Sequence, residues 1–187
     1  MTAAPLTSAP LSPAPAQRGE LDASRGRLEA VPDRPLTTAD LAVVVRRVAG
    51  EPRLWRPAVR VDGSATWTRL SGPAGVQVWM RTWLRAQGTG LHDHAEAASA
   101  FAVVLGTVVE TRVDPVLGTW STPLDAPAVR VLVPGTVHDV RNDAAAPAVT
   151  IHAYTPRASR TTYYEQAADG ELVVVRDVRA DQPLVGS

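Results

Sequence analysis

Short segments in which apolar and polar residues alternate make up most of the chain after Pro52. Such a period-two pattern is typical of strands, whose successive side chains point to opposite faces. Turn-forming residues separate the segments, for example at Gly88, at Gly106 and at residues 134–135. Many short strands at this spacing predict an all-β fold, either a β-barrel or a double-sheet jelly roll. The segments cover residues 76–80, 101–113, 129–133, 149–154, 161–164 and 172–178, and the last two flank a hairpin turn at 168–170.

The N-terminal part of the chain has a different pattern. Residues 1–34 are rich in Ala, Pro, Ser and Arg and show neither helical nor strand periodicity, which predicts a disordered tail. Residues 35–187 are then the predicted domain. Near its start, Thr37 is a good helix N-cap and leads into the apolar run 41–48, which ends before Gly50. One short helix is therefore expected ahead of the strands.

Composition narrows the classes of function. The chain has 187 residues, 45% of them hydrophobic, with a formal net charge of zero and no cysteine. Disulfides, thiolate nucleophiles and thiolate zinc sites are excluded, so a metal would need His, Asp, Glu or backbone oxygen. The basic residues are scattered arginines, which argues against a nucleic-acid partner. No apolar stretch of about 20 residues and no secretory signal pattern are present, so we expect a cytoplasmic protein without membrane contact.

Four histidines carry the candidate chemistry. His92 and His94 are two residues apart, so on an extended chain both imidazoles point to the same face and can reach one ion. His138 follows a turn that can fold back over the same cavity of a jelly roll. His152 lies on the next predicted strand, with Tyr154 on the same face. The pattern predicts a metal site formed by the first three of these histidines.

Three motifs together resemble a known family. Residues 88–94, followed by Phe101 and Gly106, resemble the first cupin motif, and residues 134–138, with Asn142 four residues on, resemble the second. With the run 150–154, Thr-Ile-His-Ala-Tyr, the combination resembles bacterial cysteine dioxygenases over about residues 55–164. The resemblance implies a cupin-type jelly-roll β-barrel that holds Fe(2+). It also implies a reaction in which a small thiol substrate and O2 give a sulfinic acid.

The resemblance also implies roles for individual residues. Tyr154 would offer its hydroxyl to the substrate or to oxygen, His152 would orient that hydroxyl, and Thr150 would hold His152. Arg69, in a Trp-Thr-Arg-Leu run, resembles the arginine that binds the substrate carboxylate in the family. A planar guanidinium suits a carboxylate. Two nearby arginines, Arg81 and Arg85, are alternatives.

The sequence departs from the family pattern in two places. Ser99 stands where general cupins carry a glutamate ligand, which indicates a three-histidine site with Ser99 beside it. Glu96 is expected to be solvated rather than a ligand. In animal members a cysteine is crosslinked to the active-site tyrosine, and a chain without cysteine must keep Tyr154 unmodified. Asp93 is expected to point away from the metal. Trp79 and Trp83 are expected to wall the core.

Other functions fit the same motifs. Within the enzyme class, the substrate could be 3-mercaptopropionate, although family members that act on it tend to carry glutamine in place of the carboxylate-binding arginine. A cupin that binds a metal or a small ligand without catalysis is a second class. An isomerase or hydrolase that uses zinc or manganese on the same fold is a third.

Overall fold

The computed structural model describes residues 36–63 and 67–179, so the tail predicted at residues 1–34 lies outside the described part. Helical segments come first, at Thr38–Ala49 (α1), Pro52–Trp55 (α2) and a 3-10 turn at Arg56–Ala58. The strands that follow are β1 (Trp67–Leu70), β2 (Gln77–Trp83), β3 (Leu91–Asp93), β4 (Ala98–Leu105), β5 (Thr107–Asp114), β6 (Gly118–Asp125), β7 (Val129–Leu132), β8 (Val137–Arg141), β9 (Ala148–Thr155), β10 (Arg160–Gln166) and β11 (Leu172–Arg179).

The strands form two antiparallel sheets. One has five strands in the order β1-β2-β9-β4-β7, and the other has six in the order β11-β10-β3-β8-β5-β6. Side chains from both sheets meet in one buried cluster, where Phe101 and Val103 of the first sheet pack with Val108 and Val140 of the second. The two sheets therefore pack face to face, and the predicted all-β, cupin-type jelly roll is confirmed.

Helix α1 covers the outer face of the five-stranded sheet. Its N-cap is Thr37, whose side chain forms a reciprocal capping box with Asp40, and its C-cap is Gly50, as the sequence predicts. Leu41 and Val45 are fully buried and pack in one cluster with apolar residues of β2, β4 and β9. The sheet is thus covered on both faces, which explains why every residue of β2 is buried.

The register of the five-stranded sheet decides which side chains face the interior between the sheets. Trp79 on β2 and Phe101 on β4 both lie opposite His152 on β9, and Arg81 lies opposite Thr150. Residues directly opposite each other in a ladder share a face. Since Phe101 packs between the sheets, this whole set points inward, toward the second sheet.

Two local features differ from the predicted strands. The segment 101–113 forms two strands, which the predicted turn at Gly106 separates; Gly106 has a φ of +69°, and a Cβ there would lie 2.6 Å from the carbonyl oxygen of Pro147. Only glycine fits that turn. His92 lies outside the predicted strand segments, and the structure places it on β3, a separate strand in the sheet opposite the one that contains Trp83. Within residues 36–63 and 67–179, no helix is long and apolar enough to cross a membrane.

Candidate metal centre

Three histidines meet between the sheets. His92 on β3 lies opposite His138 on β8 in the antiparallel ladder, and His94 follows β3 directly. One ring nitrogen from each lies within 4.8 Å of the others, and all three residues are buried. Strand alternation puts His92 and His94 on one face, and the ladder brings His138 beside them. The structure therefore brings together the three residues that the sequence singles out.

Hydrogen bonds turn two of the rings toward a common point. The Nδ1 of His92 lies 2.9 Å from the carbonyl oxygen of Gly90, which can only accept, so this nitrogen donates. The Nδ1 of His138 donates to Glu110 at 3.3 Å, and its Nε2 is buried without a hydrogen-bond partner. The Nδ1 of His94 is likewise buried and without a partner. Buried ring nitrogens with free lone pairs on converging rings are the donor set that a transition metal takes from imidazoles.

The protonation state of these rings also suits a metal. Burial, followed by the charge of His138, lowers the pKa of His92 to about 3. Burial likewise holds the pKa of His94 well below its usual value. Both imidazoles are therefore neutral near pH 7 and can offer a lone pair to a cation. The described residues thus fit a metal cofactor.

Glu110 is a site residue that was not predicted from the sequence. This residue lies on β5 and is 2% exposed, and its carboxylate contacts Arg112 at 3.1 Å and Arg130 at 3.4 Å besides His138. Burial alone would raise the pKa of Glu110, but the hydrogen bond to His138 and the nearby Arg112 lower it below its usual value. The ionised carboxylate fixes the ring orientation of His138. The one available signal was its strand parity, which puts Glu110 on the same inward face as Val108.

A second buried group faces the three histidines from the other sheet. Thr150 Oγ1 lies 2.7 Å from His152 Nε2, and the Tyr154 hydroxyl lies 3.5 Å from His152 Nδ1. Trp83 Nε1 donates to Thr150 Oγ1 at 2.7 Å, so a residue expected only to wall the core also belongs to this chain of contacts. The Tyr154 ring packs edge-on against His94, with centroids 4.8 Å apart. Burial raises the pKa of Tyr154, so its phenol stays protonated.

Both groups line one small cavity of about 10 Å³, which has room for about one water. The cavity is walled by aromatic, aliphatic and hydroxyl side chains besides the histidines. Binding of a larger ligand there therefore requires a wall residue to move. The lining residues are Trp67, Thr89, His92, His94, His138, Val140, His152 and Tyr154.

Arg69, the residue predicted to bind the substrate carboxylate, lies outside the histidine cavity. Arg69 is exposed on β1, its guanidinium is 6.0 Å from the ring centroid of Trp79, and it lines a separate open groove formed by residues 69–76. It does not line the histidine cavity. Arg85 is exposed as well, whereas Arg81 is 1% exposed and lies inside the barrel. The structure leaves the role of Arg69 as a prediction.

The remaining candidates lie around the centre. Ser99 is buried opposite Tyr154 in the β4–β9 ladder but does not line the cavity. Glu96 is exposed and accepts a hydrogen bond from Ser159 at 2.9 Å. Asp93 turns away from the histidines and accepts hydrogen bonds from the Tyr164 hydroxyl at 2.6 Å and from a backbone amide. Glu96 and Asp93 therefore have partners outside the cavity.

A model of a known protein family matches most of the chain. The family model described as cysteine dioxygenase type I matches residues 34–167. No curated protein sequence matches significantly.

Solved structures with a similar fold also match. An oxalate oxidase aligns with a TM-score of 0.47 at 14% identity, over 55% of this chain and 56% of that chain. The protein TT1209 from Thermus thermophilus aligns with a TM-score of 0.48 at 18% identity, over 54% of this chain and 92% of that chain. A conserved protein with a double-stranded beta-helix domain from Klebsiella pneumoniae subsp. pneumoniae MGH 78578 aligns with a TM-score of 0.45 at 12% identity, over 78% and 99% of the two chains. The chain covers 56% of the length of the oxalate oxidase that it matches.

Proposed function

The chain belongs to the cysteine dioxygenase type I family, and from that premise we propose that it is an iron-dependent thiol dioxygenase acting on cysteine. The reaction adds both atoms of O2 to the substrate sulfur. The thiolate becomes a sulfinate, and the four electrons that the sulfur loses reduce the oxygen, so no further reductant is needed. The observation that carries this proposal is the convergence of three buried histidines on the cavity that also holds Tyr154.

His92, His94 and His138 would hold Fe(2+). A bound iron ion would supply positive charge that favours a thiolate, together with open coordination positions for substrate and oxygen. Because the ligands are imidazoles, no protein carboxylate among them offsets that charge directly. Glu110 acts one step away, by holding the Nδ1 proton of His138.

The residues on the opposite wall of the cavity would donate a proton to the reacting atoms. Tyr154 keeps its phenol proton and can donate it to an oxygen atom in the cavity. His152 is neutral, since burial lowers its pKa well below the usual value, and it lies between Tyr154 and Thr150. The narrow cavity excludes bulk water from the reacting atoms. We further propose a cytoplasmic location, where small thiols are kept reduced.

The test has two steps. The protein is first loaded with iron under nitrogen, and its oxygen uptake is then measured after O2 is admitted. We expect cysteine to drive uptake, with one sulfinate formed for each O2 consumed, and His138→Ala protein to show neither. Parallel reactions use 3-mercaptopropionate as substrate and manganese or zinc in place of iron. If 3-mercaptopropionate is oxidised much faster than cysteine, the substrate assignment is wrong. If neither thiol drives uptake although iron is bound, the protein is a binding module rather than a dioxygenase.

The metal in the protein as isolated is a second check. Elemental analysis of protein expressed without added metal should find iron at about one ion per chain, the number that one three-histidine cluster can hold. Stoichiometric manganese or zinc with no iron would contradict the cofactor assignment.

A further inference from the structure

A buried cluster of charges lies directly behind one of the three clustered histidines. The side chain of Glu110 is 2% exposed, and one of its carboxylate oxygens lies 3.3 Å from His138 Nδ1 and 3.1 Å from Arg112 Nε. Its other oxygen lies 3.4 Å from Arg130 Nε. One carboxylate therefore contacts two guanidinium cations and also accepts a hydrogen bond from a candidate metal ligand.

Both sheets contribute to this cluster. Arg112 lies opposite His138 in the β5–β8 ladder, so both side chains share the inner face of the six-stranded sheet. Arg130 lies opposite Phe101 in the β4–β7 ladder and reaches Glu110 from the five-stranded sheet. Arg112 also donates to a backbone carbonyl of β7 at 3.3 Å, which ties it to the other sheet. The register of four strands therefore fixes the two arginines around the carboxylate.

The arginines change what the carboxylate does to the metal ligand. A carboxylate on the outer nitrogen of a metal-bound histidine makes the imidazole a stronger electron donor. Such a donor stabilises Fe(3+) more than Fe(2+), because the more highly charged ion gains more from added electron density. Two guanidiniums on the same carboxylate oppose this effect, since they draw its negative charge toward themselves. The arginines therefore favour the ferrous state of a bound iron ion.

We propose that Arg112 and Arg130 are positioning residues that act through Glu110 and His138, raising the reduction potential of the bound iron so that it stays ferrous. This inference rests on the proposed function, because it places iron at the three histidines. A single arginine is enough to pair a buried carboxylate, so the charge of Glu110 does not by itself explain the second one. An effect on the metal gives both arginines a role.

The experiment measures the reduction potential of the bound iron and uses neither thiol nor oxygen. Iron-loaded protein is titrated under nitrogen with dithionite and ferricyanide in the presence of redox dyes, and electron paramagnetic resonance follows the Fe(3+) fraction. We expect Arg112→Gln and Arg130→Gln each to raise the ratio of Fe(3+) to Fe(2+) at a given potential by about tenfold, the order expected for one charged hydrogen bond. That factor corresponds to a reduction potential lower by about 59 mV. Glu110→Gln should shift the ratio by a similar factor in the opposite direction, because it removes the negative charge.

Two kinds of variant serve as controls. Arg141 lies on β8 close to His138, but its Nε pairs with the exposed Asp143 at 2.9 Å and not with Glu110. Arg141→Gln therefore removes an equal charge from the same part of the protein, and the ratio should change by less than about twofold, since salt screens exposed charges. Arg130→Lys keeps the positive charge and should restore most of the wild-type potential. A shift in Arg141→Gln as large as in the two cluster variants would assign the effect to total charge and overturn the inference.

Other outcomes also overturn the inference. If both arginine variants keep the wild-type potential, or if Glu110→Gln shifts it in the same direction as they do, the cluster has only a structural role. Should Glu110→Gln fail to fold, Arg112→Gln and Arg130→Gln still give the sign, because these side chains are partly exposed. Potentials that shift as expected in a protein that oxidises no thiol would refute the dioxygenase function and leave this inference standing. A protein that binds no iron would refute the proposed cofactor and this inference with it.

Discussion

The three clustered histidines belong to the six-stranded sheet and its adjoining turn, whereas His152 and Tyr154 belong to the five-stranded sheet across the cavity. The first group has free ring nitrogens that converge, and an ionised carboxylate fixes one ring from behind. In the second group, the His152 ring nitrogens contact Thr150 and Tyr154 instead. One sheet is therefore arranged to hold a cation, and the other carries a buried histidine and a protonated tyrosine that face it.

The largest effect should come from removing a ligand on the six-stranded sheet. We expect His138→Ala to lose iron, because two histidines cannot hold the ion at the affinity of three, and metal content should fall by more than about tenfold. Elemental analysis of purified protein measures it, with circular dichroism to confirm the fold. The matched control is His152→Ala, a buried histidine on the other sheet, which should keep its iron. Loss of iron from both variants would contradict the assignment of metal binding to the six-stranded sheet alone.

The next largest effect should come from Tyr154 on the five-stranded sheet. Tyr154→Phe removes one hydroxyl and keeps the ring that packs on His94. We expect iron content to stay the same and kcat with cysteine to fall by about 10²- to 10⁴-fold, the usual contribution of a positioned proton donor. Oxygen uptake and metal analysis on the same sample separate the two readouts. A Tyr154→Phe protein without iron would mean that the tyrosine supports the metal and not the reaction.

A smaller effect on metal affinity should follow from Glu110→Gln. The amide keeps the size of the side chain but weakens the hydrogen bond that orients His138, and it leaves Arg112 and Arg130 without their carboxylate. We expect the dissociation constant for Fe(2+) to rise by about 10- to 100-fold, as for other residues that orient metal ligands. Competition with a chelator measures it, and the exposed Glu96→Gln is the control that should change nothing. Equal affinities for both variants would show that the ring needs no such support.

Much of this arrangement follows from the sequence, and the reason is local geometry. The period-two segments, the Thr37 cap and the spacing of His92 and His94 depend on near neighbours in the chain, so the barrel, helix α1 and the histidine pair could be predicted. The support from Glu110 could not, because it depends on how β5 aligns with β8. That register is set by packing between strands distant in sequence.

The two arginines show even more clearly which properties can be predicted from the sequence and which cannot. Arg69 and Arg81 both occupy inward positions by strand parity, since the register pairs Trp67 with Arg81 and Arg69 with Trp79. Strand parity tells on which face of the sheet a side chain lies, but not how deeply that side chain is buried. Depth is set by the neighbouring strands, which leave Arg69 exposed and bury Arg81 almost completely. The sequence motif therefore identifies Arg69 by its neighbours in the chain, but it does not show that Arg69 is exposed while Arg81 is buried.

The smallest expected effect concerns the link from Trp83 into the second group. Trp83 can only donate, so Thr150 Oγ1 accepts from it, and a hydroxyl that accepts is a stronger donor toward His152 Nε2. That favours the tautomer of His152 whose Nδ1 carries the proton that faces Tyr154. Trp83→Phe keeps an aromatic ring next to Arg81 but removes the N–H that Thr150 accepts, together with part of the indole ring. We expect iron content and cysteine affinity to hold while kcat falls by about three- to tenfold, in line with loss of one neutral hydrogen bond. An unchanged kcat would show that the hydrogen bond from Trp83 to Thr150 does not influence the reaction. A loss of iron would show that the two sheets are not independent.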